Sequence, residues 1–302
     1  MRDFFSKFKI PTLLGLSIIM IGIITGVILT LREQVFISQA SPDVKAQNIT
    51  LSNIFETEVT ISWQTSTPAI SFIQFGEGSP NEQTVLDDRD TNPPAGGPKA
   101  HLIHYVTIQN LLPKTNYQYK IISGKTQSDT NKFTTATPLR EQTGFRPIIG
   151  SVLDTDKPLE EGIVYLSIAG ATTQSALIKS SGNYLIPISQ IRKSDLSEVF
   201  PLSEDTTAKL TVVSDKGQAN MLFKLKTAVN TLPPITLGEN LDLTTQDLDK
   251  YDLNGDGKIN SADNAILLQN FGKNPTDKKT DLNGDGVVDQ KDLDLMAKQI
   301  NQ

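Results

Sequence analysis

Three hydrophobic patterns follow one another along the chain. Residues 10–31, IPTLLGLSIIMIGIITGVILTL, hold no charge over 22 positions, enough for a helix to cross a bilayer core of about 30 Å. Residues 42–238 contain short runs in which apolar and polar positions alternate, as in half-buried β-strands. Residues 241–302 carry two Asp-rich loops, each followed by apolar positions at helical spacing. The patterns predict a multidomain chain: a transmembrane helix, two all-β sandwiches and a small α C-terminal domain.

The apolar segment 10–31 predicts a single-pass membrane anchor. Three basic residues lie in the stub 1–9, whereas Arg32 and Glu33 cancel on the far side, so the positive-inside rule places the stub in the cytoplasm and the bulk of the chain outside the cell. A cleaved signal peptide is the alternative, because the tripeptide from Ser38 to Ala40 has small residues. The apolar run is longer than the roughly 7–15 residues usual for signal peptides, which favours a retained anchor.

Residues 42–138 predict the first sandwich. The run Val59–Trp63 alternates apolar and polar positions, and the Asp-, Pro- and Gly-rich stretch Asp87–Pro98 predicts a loop. The segment Leu111–Gly124 then reads LLPKTNYQYKIISG, an L-x-P-x-T-x-Y-x-Y turn into a strand. An early Trp followed by this turn resembles a fibronectin type III domain.

That resemblance implies a tyrosine corner, in which the Tyr117 hydroxyl hydrogen-bonds the nearby backbone, with Tyr119 on the same face. The sandwich also resembles the N-terminal β-domain of purple acid phosphatases. No metallophosphatase module with its Asp, His and Asn clusters follows it in this sequence.

Residues 146–238 predict a second all-β module. Its order of G-x-V, then P-L-x-x-x-x-V-x-L, then S-x-G-x-Y-x-I resembles the carboxypeptidase regulatory-like domains, which are transthyretin-like sandwiches. In that family the name comes from a neighbouring peptidase, and the module itself has no catalytic residues. The resemblance therefore implies a spacer or binding module.

The tail 241–302 contains DLNGDGKINSAD and, 29 residues later, DLNGDGVVDQKD. Calcium loops of twelve residues place oxygen ligands at positions 1, 3, 5, 7, 9 and 12, with Gly at position 6. Gly257 and Gly286 occupy that position here. The predicted ligands, with main-chain carbonyls at Lys258 and Val287, are Asp252, Asn254, Asp256, Lys258, Asn260 and Asp263 in the first loop and Asp281, Asn283, Asp285, Val287, Asp289 and Asp292 in the second.

An all-oxygen ligand set favours a hard cation, and the number of ligands favours calcium over magnesium. We expect two structural calcium ions, because the charged oxygens of each loop repel one another until an ion is bound. Ile259 and Val288, at position 8 of each loop, predict a short β-type contact between the loops. Helices are predicted after the loops, at Ser261–Phe271 and Gln290–Ile300, but not before them, because Gly272 and Pro275 interrupt the approach to the second loop.

Paired loop–helix repeats with Asp at position 12 resemble a type I dockerin. The resemblance implies a cohesin-like protein partner, contacted by the helix-start residues at loop positions 10 and 11. Those residues are Ser261 and Ala262 in the first copy and Gln290 and Lys291 in the second. A calcium sensor is a poor alternative, since a sensor needs a helix pair that opens onto a Met-rich groove.

Composition argues against several other functions. The chain has no Cys, which excludes disulfides, and its net charge of −6 comes mostly from the tail, which holds 12 Asp, seven Lys and no Glu. Without a basic patch interleaved with aromatics, nothing indicates nucleic-acid binding. The two His, His101 and His104, are three apart, so an extended strand should point their rings to opposite faces. Glu160 and Glu161 lie in a turn, and we expect no enzyme activity.

The sequence therefore predicts a bacterial or archaeal cell-membrane protein that displays a calcium-dependent dockerin for protein–protein docking. One alternative is an accessory of an extracellular polysaccharide-binding or polysaccharide-degrading system, which an exposed row of aromatics would favour. Another is that the tail only caps the sandwiches with calcium and binds no partner.

Overall fold

The computed structural model of the chain describes residues 44–91, 97–139, 146–228, 231–244, 247–273 and 275–300. The chain divides into two compact units, residues 1–44 and 45–302. The predicted membrane helix at 10–31 lies outside the described residues. Within them, no helix is long and apolar enough to span a bilayer.

Within the described residues the first sandwich has eight strands. Its longer strands alternate apolar and polar positions, which gives each of them one apolar face. They are β1 (Gln47–Ser52), β2 (Val59–Ala69), β3 (Ser71–Gly76), β4 (Gln83–Leu86), β5 (His101–Ile108), β6 (Asn116–Ser123), β7 (Thr126–Gln127) and β8 (Asn131–Thr134). One sheet has the order β1-β2-β5; the other has the order β4-β3-β6, with β7 and β8 both pairing with β6. All of these pairings are antiparallel.

The core of this sandwich contains the single Trp and confirms the predicted tyrosine corner. Trp63 is 1% exposed, and the Tyr117 hydroxyl accepts a hydrogen bond of 2.9 Å from the backbone N–H of Leu112. This bond ties the turn before β6 to the strand, as a tyrosine corner does. Tyr119 is buried in the same core cluster as Tyr117, so the two side chains share a face.

The second sandwich begins at residue 147 and also consists of two sheets. Its strands are β9 (Pro147–Asp154), β10 (Lys157–Pro158), β11 (Ile163–Ile168), β12 (Gln174–Leu177), β13 (Asn183–Pro187), β14 (Thr207–Val213), β15 (Gln218–Lys224), β16 (Ile235–Thr236) and β17 (Asn240–Asp242). The sheet orders are β10-β9-β13, with β16 beside β9, and β12-β11-β14-β15-β17.

This sandwich extends beyond its predicted end at residue 238. Strand β17 runs parallel to β15, and Leu243 is buried in the sandwich core. The tail pattern obscured this strand, because Leu241 and Leu243 stand next to the acidic residues of the following domain. The likeness to carboxypeptidase regulatory-like domains stays a prediction.

Polar and apolar contacts join the two sandwiches. The Asn53 side-chain oxygen accepts a hydrogen bond of 2.8 Å from the Ser175 N–H, and its amide nitrogen donates to the Ser175 carbonyl at 3.0 Å. The hydroxyls of Ser62 and Tyr165 lie 2.7 Å apart. Beside this network an apolar cluster is shared by both sandwiches, with Ile103, Tyr105 and Ile163 buried at its centre. The sandwiches therefore meet through a hydrogen-bonded and apolar interface rather than through a linker alone.

The described part of the C-terminal region contains three α-helices: α1 (Leu248–Tyr251), α2 (Ser261–Gln269) and α3 (Gln290–Ile300). It also contains two short paired strands, β18 (Gly272–Lys273) and β19 (Val287–Val288). Two predictions need correction. A one-turn helix, α1, precedes the first loop, and a 3₁₀ turn, Lys278–Thr280, precedes the second. The described β-type partner of Val288 is Gly272 rather than Ile259, although Ile259 and Val288 share one core cluster.

Candidate calcium loops and the surface beside them

The two acidic loops fold in the same way. In the first, Asp252 accepts hydrogen bonds from the backbone N–H groups of Gly255, Asp256 and Gly257, at 2.8, 3.1 and 2.7 Å. In the second, 29 residues later, Asp281 accepts from the equivalent groups at 2.8, 3.2 and 2.7 Å. The position-1 carboxylate therefore organises each loop around itself.

Glycines at two loop positions permit this tight path. Gly255 and Gly257 have φ angles of 75° and 80°, and Gly284 and Gly286 have 75° and 85°. These angles fall in the left-handed region, which costs other residues about 1 kcal/mol or more. Sequence reasoning used only the glycine at position 6; the D-x-N-G-D-G spelling already contained the second.

The position-12 carboxylates connect each loop to the helix that follows. Asp263 is fully buried, and its two oxygens accept hydrogen bonds from the N–H groups of Leu253 and Asn260 at 2.9 and 2.8 Å. Asn260 in turn caps α2 by accepting from Ala262 N–H at 2.7 Å, which completes a capping box. Asp292 is equally buried and accepts from Asn283 and Asp289.

The donor set fits a hard cation. The first loop brings three carboxylates and two Asn side chains, the second brings four carboxylates and one Asn, and each adds a main-chain carbonyl at position 7; these are calcium's preferred ligand types. Burial raises the pKa of Asp252, and the charges of Asp263 and Asp256 raise it further, the repulsion expected of converging carboxylates. Among the described residues, no group of three or more His, Cys, Asp or Glu side chains is placed so that it could hold a metal ion; the predicted sets also use Asn and carbonyl oxygens.

A lysine side chain distinguishes the second loop from the first. The Lys291 ammonium lies 3.2 Å from an oxygen of Asp285 and 3.9 Å from one of Asp289. Its hydrogen bond lowers the pKa of Asp285. The equivalent position in the first loop is Ala262, so the first loop keeps its full negative charge.

The four predicted partner-contact residues, Ser261, Ala262, Gln290 and Lys291, are all exposed. The structure adds two apolar residues that sequence reasoning missed: Leu268 is 50% and Phe271 54% exposed, at and just beyond the end of α2. The sequence predicted a helix over Ser261–Phe271 without showing which apolar side chain enters the core, and the structure places Leu267 there.

The exposed faces of the two post-loop helices differ in charge. Positions 262, 265 and 269 on α2 are Ala, Ala and Gln, and all three are exposed. The equivalent exposed positions on α3 are Lys291, Asp294 and Lys298. The first helix therefore presents an uncharged surface, and the second presents a charged one.

The histidine prediction needs correction. The ring centroids of His101 and His104 lie 6.4 Å apart, with their planes at 85°, rather than on opposite faces. A register shift between Gln64 and Ala69 of β2, opposite the start of β5, breaks the simple alternation. His104 is buried and stacks on Trp63 with a centroid distance of 5.0 Å. Burial lowers its pKa to about 4, so it is a neutral core residue.

His101 and Glu161 lie at the joint between the sandwiches. The His101 Nδ1 and a Glu161 oxygen are 3.1 Å apart, and Glu161 also pairs with Arg89. His101 and Glu161, together with five neighbouring residues, line a pocket of about 190 Å³. Glu161 is thus an interdomain contact, a role its place in a Pro-containing turn did not reveal.

Two family models match the chain. Residues 45–135 match the purple acid phosphatase N-terminal domain, which is a non-catalytic β-sandwich, and residues 250–301 match the type I dockerin domain. Type I dockerin domains bind calcium and dock onto proteins. No curated protein sequence matches the chain.

Several solved structures are similar to parts of the chain. The sensor domain of the anti-sigma factor RsgI4 of Pseudobacteroides cellulosolvens is 17% identical, with 33% of this chain and 100% of that chain covered and a TM-score of 0.24. Purple acid phosphatase PPD1 from yellow lupin is 18% identical over 36% of this chain and 22% of its own, with a TM-score of 0.26. The FN1–FN3 domains of chicken CNTN1 are 18% identical over 57% and 61%, with a TM-score of 0.23. All three TM-scores are low, so the architecture rests on this chain's own strands. The chain contains a two-sheet β-sandwich at residues 45–135 and a type I dockerin domain at residues 250–301.

Proposed function

We propose that this chain is a non-catalytic cell-surface protein that displays its dockerin domain for calcium-dependent docking onto a cohesin-like partner. Segment 10–31 holds it in the cell membrane with the N-terminus in the cytoplasm and the bulk outside. The two sandwiches act as a spacer, and the dockerin domain is the part that binds the partner.

The observation that carries this proposal is the repeated loop. Asp252 and Asp281 organise their loops through the same three backbone hydrogen bonds, and the family match covers both copies. The residues that would hold one ion in each loop are the twelve ligands named from the sequence. Bound calcium supplies the positive charge that offsets the repulsion among these oxygens.

The chain's own residues convert each loop into a positioned helix. Asp263 accepts hydrogen bonds from the Leu253 N–H in the first loop and from the Asn260 N–H at the start of α2. An ordered loop therefore fixes the direction of that helix. Asp292 does the same for α3. The exposed sides of these helices then form a rigid docking face.

The first helix is the principal docking surface in this proposal. Its exposed positions carry no charge, and Leu268 and Phe271 add an apolar patch. Burying such a patch needs no desolvation of charge, and interface centres are depleted in charged residues. On α3 a partner would have to desolvate or pair Lys291, Asp294 and Lys298.

The sandwiches support display because they are joined firmly. Asn53 spans the joint with two hydrogen bonds to the Ser175 backbone, and the apolar cluster around Ile103 and Ile163 packs across the same joint. A joint of this kind holds the docking domain at a defined distance from its attachment. Phe271 is the one exposed aromatic side chain among the described residues, so no aromatic row favours the polysaccharide alternative.

A binding assay against purified type I cohesin domains tests the proposal. The full chain should bind at least one cohesin in calcium and lose that binding in excess EGTA. Phe271→Ser should weaken binding about tenfold or more, whereas Ile300→Ser, the equivalent change 29 residues later, should have little effect. If calcium binds but no cohesin does, the tail is a calcium-stabilised cap without that partner.

A further inference from the structure

The first calcium loop touches the second sandwich, whereas no such contact is found for the second loop within the described residues. A β-carbon placed on Gly257 would lie 3.0 Å from two atoms of the Pro233 ring, but one placed on the equivalent Gly286 would have nothing within 4 Å. The Lys258 ammonium, next in sequence, lies 3.7 Å from a carboxylate oxygen of Glu239. Two loops with the same internal hydrogen bonds therefore have different surroundings.

The sandwich side of this contact is firmly built. Pro233 is buried and comes just before β16, which pairs with β9. The Glu239 carboxylate accepts a hydrogen bond of 2.8 Å from Thr236 N–H, and its backbone carbonyl accepts one of 3.0 Å from Asn220 N–H. Pro233 and Glu239, called here the seat, thus form a fixed surface of the sandwich.

The loop side depends on the conformation that the ligands impose. Lys258 is the position-7 residue, whose main-chain carbonyl faces the ion in loops of this kind. With the carbonyl turned inward, the side chain is left to point away from the ion, and here it reaches Glu239. Gly257 has a φ of 80° and no side chain, which lets the backbone approach Pro233.

From this contact we propose that calcium in the first loop holds the dockerin domain against the seat, Pro233 and Glu239. Calcium thereby fixes the orientation of α2 relative to the second sandwich, and we call this coupling the lock. The inference rests on the calcium binding of the proposed function. Because coupling between two equilibria is reciprocal, the seat must strengthen calcium binding at the first loop by the factor by which calcium strengthens the seat. The second loop, outside the contact, should show no such coupling.

Distance measurements on the full chain test this proposal. The chain has no cysteine, so Ser180→Cys in the second sandwich and Gln269→Cys on α2, both at exposed positions, accept two spin labels specifically. In calcium the distance distribution should be narrow, and in EGTA it should broaden. Asp252→Ala should broaden it in calcium as well, whereas Asp281→Ala, the matched change in the second loop, should leave it narrow.

Variants of the seat separate this inference from the proposed function. Glu239→Gln keeps an acceptor for Thr236 N–H but removes the charge; it should broaden the distribution and weaken the first calcium site about two- to threefold in calorimetry, without affecting the second. If both calcium ions bind but the distribution is the same in calcium and EGTA, the lock is refuted and the docking function stands. If no calcium binds, the proposed function itself fails.

Discussion

Replacing Asn53 with Ala should show how firmly the two sandwiches are joined. Asn53 donates to the Ser175 carbonyl at 3.0 Å and accepts from the Ser175 N–H at 2.8 Å. Ser175 is 3% exposed, so water cannot readily replace these bonds. Asn53 also has a φ of 49°, where Asn is tolerated and Ala is strained.

The expected loss follows from these two features. Leaving the buried Ser175 N–H without its acceptor costs about 2–3 kcal/mol, while the Ser175 carbonyl keeps the Tyr105 hydroxyl as a donor at 3.1 Å, and the left-handed conformation costs Ala about 1 kcal/mol. Asn53→Ala should therefore lower the free energy of unfolding by about 3–4 kcal/mol. Asn48→Ala is the matched control, because Asn48 has a φ of 52° but an exposed side chain that bonds only within the first sandwich, to Gln64. It should cost about 1 kcal/mol.

Equilibrium denaturation of the full chain in excess calcium measures both losses. Trp63, the single Trp, reports on the first sandwich, and circular dichroism reports on all the β-structure. If Asn53→Ala costs no more than Asn48→Ala, the hydrogen bonds across the joint contribute nothing, and the spacer is not a single rigid element.

Three further predictions follow from single contacts. Burial lowers the pKa of His104 from 6.5 to about 4, so the unfolded chain takes up its proton first as the pH falls. Its contribution is present in full above pH 6.5 and is lost toward pH 4, up to about 3 kcal/mol; His104→Gln should flatten this dependence in urea titrations, and an unchanged slope would contradict it. Tyr117→Phe removes the hydroxyl that accepts from Leu112 N–H and should cost about 1–2 kcal/mol in the same assay, a loss below 0.5 kcal/mol ruling out a stabilising corner. Lys291→Ala removes the cation beside Asp285 and should tighten the second calcium site about threefold in calorimetry; weaker binding would show that Lys291 supports the loop.

The features that the sequence predicted well are local. The path of each loop around Asp252 or Asp281 follows from a fixed spacing, and the Tyr117 corner follows from a turn of a few residues, so neither depends on distant chain segments. The helix after each loop was also predicted, because Asp263 and Asp292 serve both loop and helix within one short stretch.

The features that the sequence missed depend on contacts between distant residues. Asn53 and Ser175 are 122 residues apart, and nothing in either neighbourhood marks them as partners. Strand β17 needed the edge of β15 to form, and the packing of His101 beside His104 needed a register shift in another strand. The exposure of Leu268 and Phe271 depended on which apolar residue of α2 entered the core.

A calorimetric titration of calcium into the full chain measures whether the two loops bind metal. Two ions should bind per chain, one for each loop, with Asp252→Ala and Asp281→Ala each abolishing one and the double variant abolishing both. The ions should also raise the cooperativity of unfolding of the tail, since the ligands repel one another without them. A chain that takes up no calcium would contradict the account, because the dockerin loops would then have no means of fixing the helices they are proposed to present.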